Sequence, residues 1–244
     1  VKTVRDHYDG FLGSVYSWIL GDFDAAVARN AAFFDGMGLS PVEGAMAIDL
    51  GSGSGCQSIP LAKLGYGVLA IDFCESLLSE LADHAGGLSV IAIQDDIADF
   101  RKHLSAPADL IVCMGDTLVH LPNEETVNIL LDDVCRSLKP GGRFIYAIRD
   151  YFTDVPKGAD RFIPIRSTED RIFTCFLDYQ EDSVHVHDVL QERDGSHWRM
   201  EISDYRKLRL SADFIDRQLE LSGLHLSPHT RFDGMIVGTA IRPN

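Results

Sequence analysis

The segment that most restricts the fold is a short apolar run ending in a glycine turn. Ala45–Leu50 is apolar except for Asp49, and it runs into Asp49-Leu50-Gly51-Ser52-Gly53-Ser54-Gly55. A helical pattern, Cys56–Leu64, comes next, with Pro60 in its first turns and Gly65 at its end. Strand, tight turn and helix in this order open a βαβ unit. Glycines let the backbone turn sharply and approach a ligand closely. The helix N-terminus adds unpaired N–H groups and the positive end of its dipole.

The alternation continues downstream. Strands are expected at Gly67–Asp72, Leu88–Ile93, Ala108–Met114 and Arg143–Ile148, with helices at Ser76–His84 and Asn123–Leu138. The second helix carries Val127, Leu130, Leu131, Val134 and Leu138 on one face, and Pro140-Gly141-Gly142 breaks the pattern after it. Strands that are apolar throughout, alternating with helices, mean a parallel sheet covered on both faces. Residues 1–40 read as helices, with Asp22-Phe23-Asp24 capping a segment that Gly36 and Gly38 stop. After Asp150 the pattern changes: Arg171–Tyr179, Ser183–Glu192 and Trp198–Leu208 are strand-like, and Asp194-Gly195 signals a hairpin. Ser211–Ser222 reads as a helix capped by Ser211, and Leu224–Ser227 and Met235–Ile241 as closing strands. The expected fold is α/β: a Rossmann-like, doubly wound sheet of seven mostly parallel strands, with an antiparallel β insertion after the fifth.

Composition narrows the partners. The 244 residues, 45% hydrophobic, can fill one large domain or a domain with a small insertion. Asp and Glu number 37 against 22 Lys and Arg, a formal charge of −15 that repels phosphate backbones and anionic lipid. No nucleic-acid or membrane partner is expected. No apolar run approaches the roughly 20 residues of a membrane helix, and the polar Val1–Gly10 is unlike a secretory signal. Cys56, Cys74, Cys113, Cys135 and Cys175 contain no CxxC pair. They read as reduced, mostly buried thiols of a cytoplasmic protein. His185 and His187 share one strand face while Val184 and Val186 take the other. With no third ligand at zinc spacing they are expected to face solvent, and no metal is expected.

Around the turn, several residues point to an adenosine-type ligand. Asp72 ends the next strand, followed by Phe73, where an acid can hold both ribose hydroxyls. A dinucleotide fingerprint would place its third glycine at position 56, which is Cys56 here, and this chain has Gly55. Asp95-Asp96-Ile97 follows the third strand, where an acid can pair with an adenine amino group. Leu138-Lys139-Pro140-Gly141-Gly142-Arg143-Phe144 precedes the fifth strand. The order of these four segments resembles class I S-adenosylmethionine-dependent methyltransferases along nearly the whole chain. The resemblance implies that Asp49, Gly51, Ser52, Gly53, Gly55, Asp72, Phe73, Asp95, Asp96 and Ile97 surround S-adenosyl-L-methionine. It divides the chain into an N-terminal helical lid (1–44), a cofactor-binding core (45–150), an antiparallel insertion covering the substrate (151–208) and the last helix and strands of the core (209–244).

Three further segments narrow the resemblance. These are Leu20-Gly21-Asp22 before Arg29, Met114-Gly115-Asp116-Thr117-Leu118-Val119-His120-Leu121-Pro122, and Ala147-Ile148-Arg149-Asp150-Tyr151. With the antiparallel insertion, they look like the glycine N-methyltransferase family and its small-molecule relatives. That implies a small amine or amino-acid acceptor and allows a homo-oligomer. It puts Arg29 near the donor's methionine carboxylate, His120, Met114 and Gly115 beside the donor, and Tyr16 over its pocket. Asp116 would touch the acceptor, Arg149 would bind an acceptor carboxylate near Tyr151, and Tyr205 falls near a tyrosine of the family's insertion. The family carries asparagine where this chain has Asp116. A carboxylate there repels an acceptor carboxylate and attracts a cationic amine. Ile97 stands where the family has an aromatic.

The implied chemistry is in-line attack, and holding that geometry supplies roughly 7–11 kcal/mol of the barrier. Asp116 or His120 would take the amine proton. Asp116 could instead cap local backbone N–H groups, and Arg149 could pair with Asp150. Two other activities share parts of the pattern. A metal-dependent O-methyltransferase would hold magnesium between Asp116 and Asp150. An NAD-dependent oxidoreductase would keep the turn and Asp72 but leave Lys139–Gly142 and the late strands unexplained.

Overall fold

Residues 1–21 and 151–209 form one unit, and residues 22–150 and 210–244 form another, in a computed structural model that describes residues 2–153 and 155–244. The first unit opens with α1 (Val4–Gly10), whose first turn is capped by Thr3 Oγ1 accepting from Asp6 N at 3.1 Å. A 3₁₀ turn (Leu12–Ser14) and α2 (Tyr16–Leu20) follow. The second unit begins at Asp22, whose side chain accepts from Ala25 N to start α3 (Phe23–Gly36). This helix belongs to the unit of the seven-stranded sheet, whereas the sequence grouped it with the helices of 1–44.

Five strands alternating with helices then build the sheet: β1 (Met46–Leu50), α4 (Ser58–Leu64), β2 (Gly67–Asp72), α5 (Glu75–Ala85), β3 (Val90–Gln94), β4 (Ala108–Cys113), α6 (Glu124–Ser137) and β5 (Leu138–Ile148), with a 3₁₀ turn in place of a helix after β3. Strands β1 to β5 pair in parallel. The chain leaves for the other unit and returns with α7 (Ala212–Leu221), begun by Ser211 Oγ accepting from Phe214 N at 3.1 Å. Numbering the late strands in chain order, β10 (His225–Phe232) and β11 (Met235–Ile241) close the sheet antiparallel to their neighbours. The spatial order is β10-β11-β5-β4-β1-β2-β3. The reversal of winding direction at β1/β4 is the switch point where open α/β sheets bind ligands.

Burial explains the pattern. Ala47, Ile48, Leu50, Ala70, Ile71, Ile111, Val112, Ile145 and Ala147 are buried, as central parallel strands require. Phe34, Leu61, Leu81 and Leu110 join one cluster between helices and sheet. The stripe Val127, Leu130, Leu131 and Val134 of α6 is buried as the sequence expects, each worth about 1.5–3 kcal/mol. Edge strand β3 is different: Ile91 is exposed.

The first unit's sheet has the order β6-β7-β8-β9, made of β6 (Phe162–Ser167), β7 (Arg171–Tyr179), β8 (Ser183–Asp194) and β9 (His197–Leu208), all antiparallel. Gly195 takes φ +59° in the two-residue β8–β9 turn, where a positive φ is needed. Phe11, Leu12 and Val15 pack with Phe173 and Leu190.

Several boundaries moved. Helix α4 starts at Ser58 rather than Cys56, because residues 51–57 remain in the turn. Strand β5 begins at Leu138, so Pro140-Gly141-Gly142 lies within strand bounds, and Gly141 N donates to Arg242 O. Strand β10 extends to Phe232 beyond the expected Ser227. The sequence reading did not anticipate β6, since Pro164 and a register shift between Pro164 and Arg166 obscure its alternation.

Candidate active site

The carboxyl ends of β1, β2, β4 and β5 are tied together by backbone hydrogen bonds. Gly51 N and Ser52 N both donate to Ile71 O, at 2.8 and 3.1 Å, which holds the turn against β2. Asp95 N donates to Asp72 O, and Asp116 N to Ala147 O. Gly51 (φ +77°) has a side chain's space filled by Thr117, whose hydroxyl donates to Met114 O at 2.8 Å. At Gly55 (φ +96°) a Cβ would meet Leu81 Cγ at 3.0 Å. Both positions therefore require glycine on conformation and on space.

Asp72 has a structural task that the sequence did not disclose. Its Oδ2 accepts from Gly53 N and its Oδ1 from Cys74 N, each at 2.8 Å. The carboxylate thus locks the turn to the start of α5. Asp49 lies beneath the turn and is fully buried. Ser58 Oγ donates to its Oδ2 at 2.6 Å. Burial pushes the Asp49 carboxyl up to about 7, with the Ser58 hydroxyl opposing and the Asp72 charge adding. Asp49 Oδ1 and Ser52 Oγ are buried without hydrogen-bond partners. His84 Nδ1 contacts Ser54 O at 3.1 Å while its ring stacks on Phe23 at 3.6 Å, bracing the turn from α5 and α3. Burial also pushes the Cys56 thiol up to about 11.

After β3 the acids divide their work. Asp95 Oδ2 receives Lys102 Nζ at 2.6 Å and His103 Nε2 at 2.5 Å, and these partners hold its carboxyl well below the usual range. Asp96 is exposed and caps the 3₁₀ turn Ile97–His103 by accepting from Ala98 N at 2.9 Å. Ile97 is buried, and Phe73 is half-buried with its carbonyl accepting from Gln94 Nε2.

After β4 the backbone is strained. Gly115 has φ +69° and Asp116 φ +71°, unusual for a residue with a side chain. Asp116 is buried, and its Oδ1 accepts from Arg149 N at 2.9 Å. The donor lies 33 residues away, and the Asp116 side chain does not cap the 3₁₀ turn that follows it, so the local capping that the sequence allowed is not what this carboxylate does there. His120 ends the 3₁₀ turn Thr117–His120, and Met114 is buried beside it in the chain. Arg149 is exposed just past β5. Arg29 is exposed on α3, and its charge reaches Cys56 at the end of the turn.

The sheet unit therefore brings together Asp49, Gly51, Ser52, Gly53, Gly55, Asp72, Phe73, Asp95, Asp96, Ile97, Met114, Gly115, Asp116, His120 and Arg149 along one edge. Tyr16, Tyr151 and Tyr205 lie in the antiparallel unit. Tyr205 is buried there, stacked on His7 at 4.2 Å, and Tyr151 is buried with its carbonyl accepting from Arg209. Tyr16 on α2 faces Tyr8 at 6.0 Å. Among the described residues no three acidic, histidine or cysteine side chains cluster as a metal site. His185 and His187 are half-exposed opposite buried Val184 and Val186.

Sequence reasoning missed Ser58, Thr117, Lys102 and His103, all of which act on the site's acids or glycines. It also missed a buried polar cluster in the antiparallel unit. His7 meets Ser203 Oγ through Nδ1 at 2.9 Å and Asp188 Oδ2 through Nε2 at 3.0 Å. One signal was present: Asp188 shares the alternating buried face of β8 with Val184 and Val186.

Known proteins share parts of this sequence and its fold. Residues 47–142 match the family model of a methyltransferase domain. A ubiquinone biosynthesis O-methyltransferase of Xylella fastidiosa is 35% identical over 105 residues, 42% of this chain and 41% of that protein. A glycine/sarcosine N-methyltransferase of Halorhodospira halochloris is 25% identical over 162 residues, 64% of this chain and 59% of that protein. The chain thus spans about half the length of these relatives. The CcbJ methyltransferase of Streptomyces caelestis superposes with a TM-score of 0.79 at 17% identity, covering 98% of this chain and 99% of that one. The fold is that of class I S-adenosylmethionine-dependent methyltransferases. No helix among the described residues is long and apolar enough to cross a membrane.

Proposed function

We propose that this chain transfers a methyl group from S-adenosylmethionine to a small-molecule acceptor, at the nitrogen of an amine or amino acid, by in-line displacement. The observation that carries this reading is the pair of unpartnered buried polar atoms, Asp49 Oδ1 and Ser52 Oγ, at a turn whose Gly51 and Gly55 leave no room for a side chain. Burying polar atoms without partners costs about 1–3 kcal/mol each, so a ligand that supplies donors recovers it. The residues present fit S-adenosylmethionine. The turn 51–55 and Asp49 would hold its amino-acid end together with Arg29. Asp72 and Phe73 would hold the ribose, and Asp96 and Ile97 the adenine. His120, Met114 and Gly115 would lie beside the reacting end.

The donor supplies an activated methyl group on a sulfonium, and the chain's own residues bind, orient and deprotonate. Asp116 is held rigidly by Arg149 N and by its own left-handed backbone. A carboxylate fixed there draws a cationic amine toward the edge of the sheet. Either Asp116 or His120 accepts the proton that frees the nitrogen lone pair. Arg149 receives a carboxylate on the acceptor.

Calorimetric titration with S-adenosylmethionine and with NAD tests the donor. Tight NAD binding beside millimolar S-adenosylmethionine binding would overturn the reading. A labelled-donor screen of small amines, amino acids and phenols then tests the acceptor. The O-methyltransferase relative makes phenols the second class. Activity confined to phenols replaces nitrogen with oxygen. Arg149→Ala should raise the acceptor KM if the acceptor carries a carboxylate.

A further inference from the structure

Strand β9 is an edge strand of the four-stranded sheet, and it is unusual for an edge. Edges are ordinarily blunted by proline, bulges or shortness. The opposite edge, β6, has Pro164 and a register shift. In the other sheet, β10 has Pro228 and a register shift, and β3 is five residues long. Strand β9 has twelve residues, contains no proline and pairs with β8 in unbroken register from Leu208 to His197. Its outer half is exposed on both faces. Trp198, Met200 and Ile202 alternate on one face, 48%, 59% and 54% exposed, and Arg199 and Glu201 lie on the other.

The order of these residues is self-complementary. Turned antiparallel about Met200, the segment sets Trp198 opposite Ile202, Met200 opposite Met200, and Arg199 opposite Glu201. Every charge meets its opposite and every apolar side chain an apolar one. Within the chain, Glu201 faces Leu190 across β8, so its carboxylate has no cross-strand cation on that side. The bridge from Lys2 to Tyr205 covers the edge further along. The stretch left before it, His197–Ser203, is centred on Met200. Direct pairing through a two-fold axis is the isologous geometry that closes on itself and stops.

We propose that two copies of this chain associate through β9, pairing His197–Ser203 antiparallel about Met200 and joining their four-stranded sheets. Closing the edge pairs its backbone groups, which otherwise invite open-ended aggregation, and sets the two Trp198, Met200 and Ile202 stripes side by side.

Sedimentation velocity on the whole chain tests this with three variants. The wild type is expected at twice 27.0 kDa. Met200→Lys sets two ammonium groups together on the axis and should give monomer with unchanged circular dichroism. Arg199→Glu and Glu201→Arg each create two like-charge pairs and should weaken the dimer by about tenfold. Mixing Arg199→Glu with Glu201→Arg in equal amounts pairs each glutamate with an arginine and should restore it. A monomeric wild type, a dimeric Met200→Lys, or a mixture no tighter than its components would each overturn the proposal. The mixing arm remains decisive even if Met200→Lys fails to fold.

Discussion

Two buried polar clusters, one in each unit, differ in how far they are satisfied. In the antiparallel unit, His7, Asp188 and Ser203 satisfy one another, and Tyr205 closes the cluster by stacking on the imidazole. In the sheet unit, Asp49 Oδ1 and Ser52 Oγ are equally buried and have no partner. The first arrangement is complete within the chain and serves its stability. The second is incomplete, which is costly in the free chain and valuable only if something binds. Buried polarity by itself thus marks nothing; unsatisfied atoms clustered at a glycine turn on the ligand side of the sheet are what separate this site from the closed cluster.

The largest expected effect would break the closed cluster. His7→Ala leaves the Asp188 carboxylate and the Ser203 hydroxyl buried and unmatched, and should destabilise the chain by about 3–5 kcal/mol in urea titration. A loss under about 1 kcal/mol would mean that water replaces the imidazole and that the cluster is open after all.

The next effect concerns pH. Asp49 titrates near 3.8 in an unfolded chain and is pushed up to about 7 here, chiefly by burial. Between these values the native state keeps a proton that the unfolded state has lost. Stability therefore falls as pH rises from about 4 to about 7, by up to tenfold in the folding constant per pH unit, and levels off above. Asp49→Asn should remove this slope. Parallel pH profiles for variant and wild type would show that Asp49 is charged throughout.

Smaller effects sharpen the contrast, because the same substitution should change sign between units. Ser203→Ala strips His7 Nδ1 of its partner and should cost about 1–3 kcal/mol. Ser52→Ala removes an unpartnered hydroxyl and should leave the free chain unchanged or more stable by up to about 1 kcal/mol, while weakening S-adenosylmethionine binding. Equal destabilisation by both would erase the distinction.

Legibility in the sequence followed the range of the forces involved. Apolar β1, the glycines and the α6 stripe are local patterns, and each appears within a few residues of its expected place. The acids Asp49, Asp72 and Asp96 were visible because strand ends and turns are local too. The partners of those acids were not, since Ser58, Lys102 and His103 become informative only once a turn is folded. Asp72 shows the limit most clearly. The sequence marks it as an acid after a strand, but not that it pins Gly53 and Cys74. His7 has no local signal at all: Asp188 and Ser203 lie 181 and 196 residues away. Strand β6 was hidden by Pro164, which masks a period of two.

Those long separations also set a timetable for biosynthesis. At a ribosome speed of about 5–20 residues per second, His7 emerges roughly 9–36 s before Asp188. Throughout that interval the first helices, with Phe11, Leu12 and Val15, lack Phe173 and Leu190, their packing partners. The βα repeats can assemble as they are made, while the helices of residues 4–20 must wait for later strands of their own unit. In a newly made chain, residues 4–20 are thus among the last to become protease-resistant.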